Sequence, residues 1–157
     1  MAIELRRQEI ERMRQHGAAA YPNECCGVLL GEEQDGRKVV TDIAPLKNAR
    51  EDSPQNRYLI EPQDFLRTDQ EARQRGLDIL GFYHSHPDHP AQPSEFDRQH
   101  AWPWYTYLIL AVERGVPAEI AGWLLSEDRE RFFPEEMIVS DDRAAAPQSR
   151  GETGFGA

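Results

Sequence analysis

Cysteine is nearly missing from this chain of 157 residues: there are two, adjacent at Cys25 and Cys26. Adjacent cysteines seldom bond to each other, so a disulfide-stapled framework is excluded. Basic residues are also short, 18 Lys and Arg against 28 Asp and Glu, for a formal charge of −10. Non-specific nucleic-acid binding needs a basic footprint, and this balance argues against it. The charge suits a basic partner or solubility in a salty cytoplasm, and composition does not choose between them. No apolar run approaches the ~18 residues of a membrane span. The start Met1-Ala2-Ile3-Glu4-Leu5-Arg6-Arg7 is too charged for a signal peptide. We therefore expect a cytoplasmic protein with neither membrane nor nucleic acid as partner. The Pro-Cys-x-x-Cys element of zinc deaminases and the His-Glu-x-x-His helix are absent too.

What is present reads as one soluble α+β domain. Apolar residues make up 39%, enough for a chain of this length to bury about two-thirds of its unfolded surface. Ile3 and Leu5 alternate with charged residues as in a short strand. From Arg7 to Ala20, apolar residues recur at helical spacing. Cys25 to Gly31 is an apolar run of strand length. With Asp35-Gly36 as the turn, it predicts a hairpin between 26–31 and 38–46. Asn48 to Asn56 reads as a loop, and Arg57-Tyr58-Leu59-Ile60 as a short strand. Pro62 opens a second helix whose inner face is expected to carry Phe65, Leu66 and Ala72, with Gly76 as its stop. Strands are expected at 105–112 and 118–125, then near 131–133 and 137–139. We place the domain at residues 1–140 and read 141–157 as a disordered tail, because little there can be buried.

The chemistry-bearing stretch is His84-Ser85-His86-Pro87, at the end of the strand-like run Leu77 to Tyr83. Alternate side chains of a strand share a face, so His84 and His86 can point into one site. Ten residues separate His86 from Asp97, and prolines at 87, 90 and 93 shape that interval. Such a loop can fold a carboxylate back to the same point. Two imidazoles, a carboxylate and a water form a tetrahedral zinc site with an open position. Each residue also has a plainer reading. A lone strand histidine is usually core or surface, Asp97 fits a helix first turn, and Ser94 fits an N-cap. Glu24, before the apolar run, could be a turn carboxylate facing water.

Taken together these residues resemble the JAMM (MPN+) metalloprotease family. Its signature is an upstream Glu, then His-x-His, ten residues and Asp, with Ser three before that Asp. Glu24, His84, His86, Ser94 and Asp97 match it, as do the flanking words Glu24-Cys25-Cys26-Gly27 and Gly81-Phe82-Tyr83-His84. The resemblance spans roughly residues 3 to 140 and looks like the stand-alone prokaryotic type. It implies a curved mixed β-sheet or sandwich flanked by helices, of the cytidine-deaminase-like fold, with the metal site at a sheet edge. It further implies Zn2+ held by His84, His86 and Asp97, with Glu24 as general base and Ser94 stabilising an oxyanion. The implied reaction is hydrolysis of a peptide or isopeptide bond after the C-terminal Gly-Gly of a ubiquitin-like or β-grasp sulfur-carrier protein. Trimming of the carrier and removal of the modifier both remain open. Residues 48–60 are the expected groove wall for the Gly-Gly tail.

Other titratable residues fit less well. His89 lies in the Pro-rich loop, His100 follows Asp97 by three as a possible partner in the same helix, and His16 is expected to be exposed. Two rival readings stand: a non-catalytic interaction scaffold, and a cysteine peptidase using Cys25 or Cys26 with His84. The scaffold has no need of all five signature residues. A nucleophilic thiol wants a helix N-terminus or a paired histidine rather than the start of an apolar strand. The motif predicts one tightly bound zinc per chain, lost or greatly weakened in Asp97→Ala. Metal analysis of both proteins at neutral pH checks this, and no zinc in either would remove the metallopeptidase reading.

Overall fold

The computed structural model describes residues 1–141; the tail expected over 141–157 lies, Asp141 apart, outside the described residues. Strand β1 (Ala2–Arg6) leads directly into helix α1 (Arg7–Ala20). A hairpin follows, β2 (Cys26–Gln34) and β3 (Arg37–Leu46), turning at Asp35 and Gly36, both with positive φ. That turn is the one its Asp-Gly sequence predicts. Helix α2 (Pro62–Gln74) starts on proline and stops at Gly76, whose positive φ of 73° ends the helical path. Then come β4 (Asp78–Pro87), α3 (Glu95–His100), β5 (Thr106–Glu113) and β6 (Val116–Leu125). Two short strands close the described chain, β7 (Phe132–Glu135) and β8 (Met137–Ser140).

All eight strands form one mixed sheet in the order β7-β6-β5-β4-β2-β3-β1-β8. The first and last members of that order are consecutive in the chain, separated by Glu136 alone, whose carbonyl accepts from Ile3 N–H at 2.9 Å. The sheet must therefore curl until its two edges come within one residue of each other. This is the expected curved α+β architecture. One face packs α1 into a core of Ile3, Leu5, Met13, Leu29, Leu80 and Leu108. The other packs α2 through Ala72 against Val28, Leu30 and Ile79. The two faces follow from strand alternation.

Three local expectations are corrected. Residues 57–60 are not a strand: Leu59 bonds to Ala49 and to the Asn48 side chain within its own loop, so no sheet edge is left for it to join. Leu66 is 57% exposed and does not face inward; Thr68 takes that position with Ala72, four residues on and on the same helix face. The His-x-His strand is not at a sheet edge either. Strand β4 lies between β5 and β2, because its parallel partner β5 arrives by the crossover through α3.

Inside the curl, Lys38 of β3 is fully buried. Its ammonium donates to the Trp104 carbonyl and to Thr106 Oγ1 (2.9 Å), and lies 3.9 Å from Glu135. Thr106 Oγ1 in turn donates to Glu135 Oε1. Burial pulls the Lys38 pKa down and pushes Glu135 up, and each charge partly offsets the other's shift. The trio joins β3, β5 and β7, strands far apart in the sheet order. Removing one charge strands the other in a dry site. Lys38→Met is expected to destabilise the fold by about 3–5 kcal/mol, and Lys38→Met with Glu135→Leu by much less. Urea unfolding of the three proteins checks it; equal losses in both variants would show that packing, and not the stranded charge, is at stake.

Candidate metal centre

The centre is built at the C-terminal end of β4. Cys26 of β2 pairs with His84 on one side, and Ile109 and Ala111 of β5 pair with His84 and His86 on the other. Alternation places Phe82, His84 and His86 on one face and Tyr83 and Ser85 on the opposite one. The opposite face is occupied structurally. Tyr83 Oη meets His16 Nδ1 at 2.8 Å, and Ser85 Oγ accepts from Cys25 N–H at 2.8 Å. His16 is thus half-buried in a contact, not simply exposed as its helical position suggested.

The Pro-rich loop returns the chain to the histidines at α3. Ser94 caps that helix: its Oγ accepts from Asp97 N–H (3.0 Å) while Ser94 N–H donates to Asp97 Oδ2 (2.9 Å). This reciprocal pair aims the carboxylate, and Oδ2 lies 3.3 Å from His84 Nε2 and 3.1 Å from His86 Nε2. The two Nε2 atoms are themselves 3.2 Å apart. Burial opposes a charge on Asp97, but His84's charge and the bonds from both histidines and from Ser94 outweigh it. The carboxyl is held well below the usual range. Three of the five signature residues therefore converge on one point.

That triangle fits a cation. Ligand bonds of ~2.0–2.1 Å in a tetrahedral set imply ligand–ligand edges of ~3.3 Å, against 3.1–3.3 Å between these atoms. His86 Nδ1 is 2.8 Å from the Pro90 carbonyl. That contact requires a proton on Nδ1, which leaves the Nε2 lone pair facing the shared point. His84 Nδ1 is buried without a hydrogen bond. Its ring is instead held by stacking on Tyr58, with centroids 4.6 Å apart and planes at 25°. Two imidazoles and one carboxylate are a donor set that suits zinc.

Glu24 lies two residues ahead of β2, where the Cys25 carbonyl still accepts from Ser85 N–H at 3.2 Å and holds this segment against the end of β4. It is 3% exposed, and its Oε1 has no hydrogen-bond partner. Burial first, then the nearby Asp97 charge, raises its pKa from 4.5 to about 9. Burial also pushes the thiols of Cys25 and Cys26 up, to about 11 and about 12. Neither thiol is a ready nucleophile, which weighs against a cysteine peptidase. His100 is exposed, stacks on Phe96 and bonds the Phe96 carbonyl instead of Asp97. His89 is exposed beyond the strand end.

Beside Asp97 opens a groove of about 730 Å³ lined by Tyr58, Phe65, Phe82, Phe96, Trp102 and Tyr107. Arg57 lies over the Phe96 ring at 4.8 Å. The sequence places Tyr58 on the groove wall by its segment alone. Its stacking on His84 had no signal in the sequence, because an aromatic 26 residues away from a histidine has no spacing rule.

Known proteins resemble this chain over most of its length. Residues 6–117 match the model of prokaryotic homologs of the JAB domain. The chain is 33% identical over 131 residues to a protein of Haloferax volcanii named Desampylase, covering 83% of this chain and 91% of that one. It is 34% identical over 121 residues to a Thermus thermophilus protein named "Probable TtuB-protein conjugate cleaving protease", covering 77% and 74%. A solution structure from Desulfitobacterium hafniense superposes with a TM-score of 0.79 at 32% identity, over 89% of this chain and 94% of that one.

The raised pKa of Glu24 makes the metal-free protein sensitive to alkali. Its folded value of about 9 exceeds its ordinary 4.5. The stability contributed by the neutral carboxyl is therefore whole below about pH 4.5 and is lost as the pH climbs towards 9. Glu24→Gln keeps the shape without titrating. In chelator-treated protein, the stability of Glu24→Gln relative to wild type should grow between pH 5 and 9, by at most about 1.4 kcal/mol per pH unit. A difference independent of pH would mean that Glu24 ionises freely in the fold.

Proposed function

The chain belongs to the prokaryotic branch of the JAB (JAMM/MPN) family, and from that premise we propose that it is a zinc-dependent isopeptidase releasing ubiquitin-like modifiers. The bond it cuts follows the modifier's C-terminal Gly-Gly. The observation that carries this reading is the convergence of His84, His86 and Asp97 at 3.1–3.3 Å beside the buried, unpartnered Glu24 carboxyl. A scaffold gains nothing from that arrangement, since burying an unpaired carboxyl is costly. The relative named for cleaving protein conjugates favours removal of a modifier over trimming of a free carrier.

His84 and His86 through Nε2, and Asp97 through Oδ2, are the residues to hold the ion. Zinc, when bound, supplies a Lewis acid that polarises a carbonyl and makes a water acidic near neutral pH. Glu24 takes the proton of the attacking water and passes it to the leaving amine. The Asp97 charge helps hold the Glu24 proton, and once a bound cation offsets that charge the carboxylate is free to accept the water's proton. Ser94 Oγ is occupied as an acceptor by Asp97 N–H, so its own proton is free to point outward at a developing oxyanion. The aromatic groove next to Asp97 suits an extended tail, and glycines suit the place where backbone must pass close to the centre.

Tyr58 both stacks on His84 and lines the groove, so Glu24 and Ser94 are the cleaner probes. Wild-type protein should cleave a Gly-Gly-linked lysine conjugate of a ubiquitin-like protein, stop with chelator and recover with zinc. Glu24→Gln should keep its zinc and lose at least about 100-fold in kcat. Ser94→Ala should lose about 100- to 1,000-fold. Zinc-loaded wild type that cleaves no such conjugate would return the protein to the scaffold reading.

A further inference from the structure

Asn48, just beyond the end of β3, uses the whole hydrogen-bonding capacity of its carboxamide. Its Nδ2 donates to the Glu24 carbonyl at 3.0 Å and to the Arg57 carbonyl at 3.1 Å. Its Oδ1 accepts from Arg50 N–H and from Leu59 N–H, both at 3.0 Å. Two donors meet two carbonyls and the acceptor meets two N–H groups, so the amide can sit in one orientation only. A loop asparagine commonly bonds to the N–H two residues on. That local habit accounts for the Arg50 contact and for none of the other three, which reach 24, 9 and 11 residues away.

The distant partners are the ones that matter for the site. Arg57 and Leu59 flank Tyr58, whose ring stacks on His84. Glu24 is attached to the same segment a second time, through its own N–H to the Pro54 carbonyl at 2.8 Å. Ala49 N–H donates to the Leu59 carbonyl at 2.8 Å and closes the neck of the loop. One side chain therefore ties the backbone of the buried carboxyl to the segment that forms the groove wall.

We propose that Asn48 is a positioning residue, which sets the groove wall carrying Tyr58 and the backbone of Glu24 at a fixed separation. Its part in catalysis rests on the reading of Glu24 as the base; the mechanical coupling does not. A substrate tail lying in the groove is then presented at one distance from Glu24, and rate and binding become linked through a residue that touches neither tail nor ion.

Two variants of the full chain test it. Asn48→Ala removes all four bonds. Asn48→Asp keeps the size and the two accepted bonds but loses both donated ones, and serves should the alanine protein fail to fold. Residue-resolved amide exchange is the first readout. The Glu24 N–H, which Asn48 does not touch, should exchange at least tenfold faster in either variant, while Leu108 in the core of β5 stays protected. An unchanged Glu24 N–H overturns the coupling. Kinetics on zinc-loaded protein form the second readout, with a ubiquitin-like conjugate beside a short Gly-Gly amide that does not fill the groove. KM for the conjugate should rise at least tenfold and KM for the short amide should stay put, with kcat lower for both. A merely structural loss would lower the active fraction and leave both KM values unchanged, which would overturn the positioning role. Wild type inactive on both substrates would refute the isopeptidase reading instead, and the exchange rates would still decide the coupling.

Discussion

Three polar atoms brought within 3.1–3.3 Å of one another at the end of β4 are the constraint on which the rest of this molecule depends. Two imidazole nitrogens and a carboxylate oxygen crowd one partly dry point, and such crowding is favourable only around a positive charge. Several local devices maintain it. Strand alternation puts both histidines on one face, β5 supports His86 through its pairing with Ala111, and Pro90 fixes the His86 tautomer. The reciprocal cap between Ser94 and Asp97 spends a helix start on aiming one oxygen. The capping role that an isolated Ser94 would have and the site role of Asp97 are thus parts of one device.

Glu24 is costly in the same way and is tolerated for a related reason. It is a buried carboxyl whose Oε1 has no hydrogen bond, just ahead of a strand whose residues Cys26, Val28 and Leu30 are core. The fold accommodates it by letting it hold its proton, which is what its raised pKa expresses. The curled sheet provides the stiffness that keeps β2, which begins two residues after Glu24, against the strand of the histidines. The curl in turn is closed by Glu136 at the seam and braced from inside by Lys38, Thr106 and Glu135. The loop between β3 and α2 completes the wall around the site and is fastened to Glu24 at two points.

Much of this was legible beforehand because it is local. The hairpin follows from Asp35-Gly36 between two apolar runs, α1 from its helical spacing, α2 from Pro62 and Gly76, and the α3 start from Ser94. The errors share a cause. Tyr58-Leu59-Ile60 has strand composition, yet its backbone groups are taken by Asn48 and Ala49. Leu66 is apolar, yet the face of α2 that packs inward carries Phe65, Thr68 and Ala72 and leaves it in solvent. His16 looked like a surface residue because nothing in its own helix reveals Tyr83. In each case the deciding partner is far away in the chain.

The sequence by itself determined most of the elements and the spacing that lets His84, His86 and Asp97 meet, because strand alternation, turn chemistry and a capped helix start act over a few residues. Tertiary structure alone decided what those residues experience. The burial of Glu24 and its raised pKa, the stacking of Tyr58 on His84, the pairing of Lys38 with Glu135 and the fourfold engagement of Asn48 all depend on strands and loops meeting across the curled sheet. Desolvation and hydrogen-bond geometry are properties of an environment, and an environment exists only once distant parts of the chain have come together.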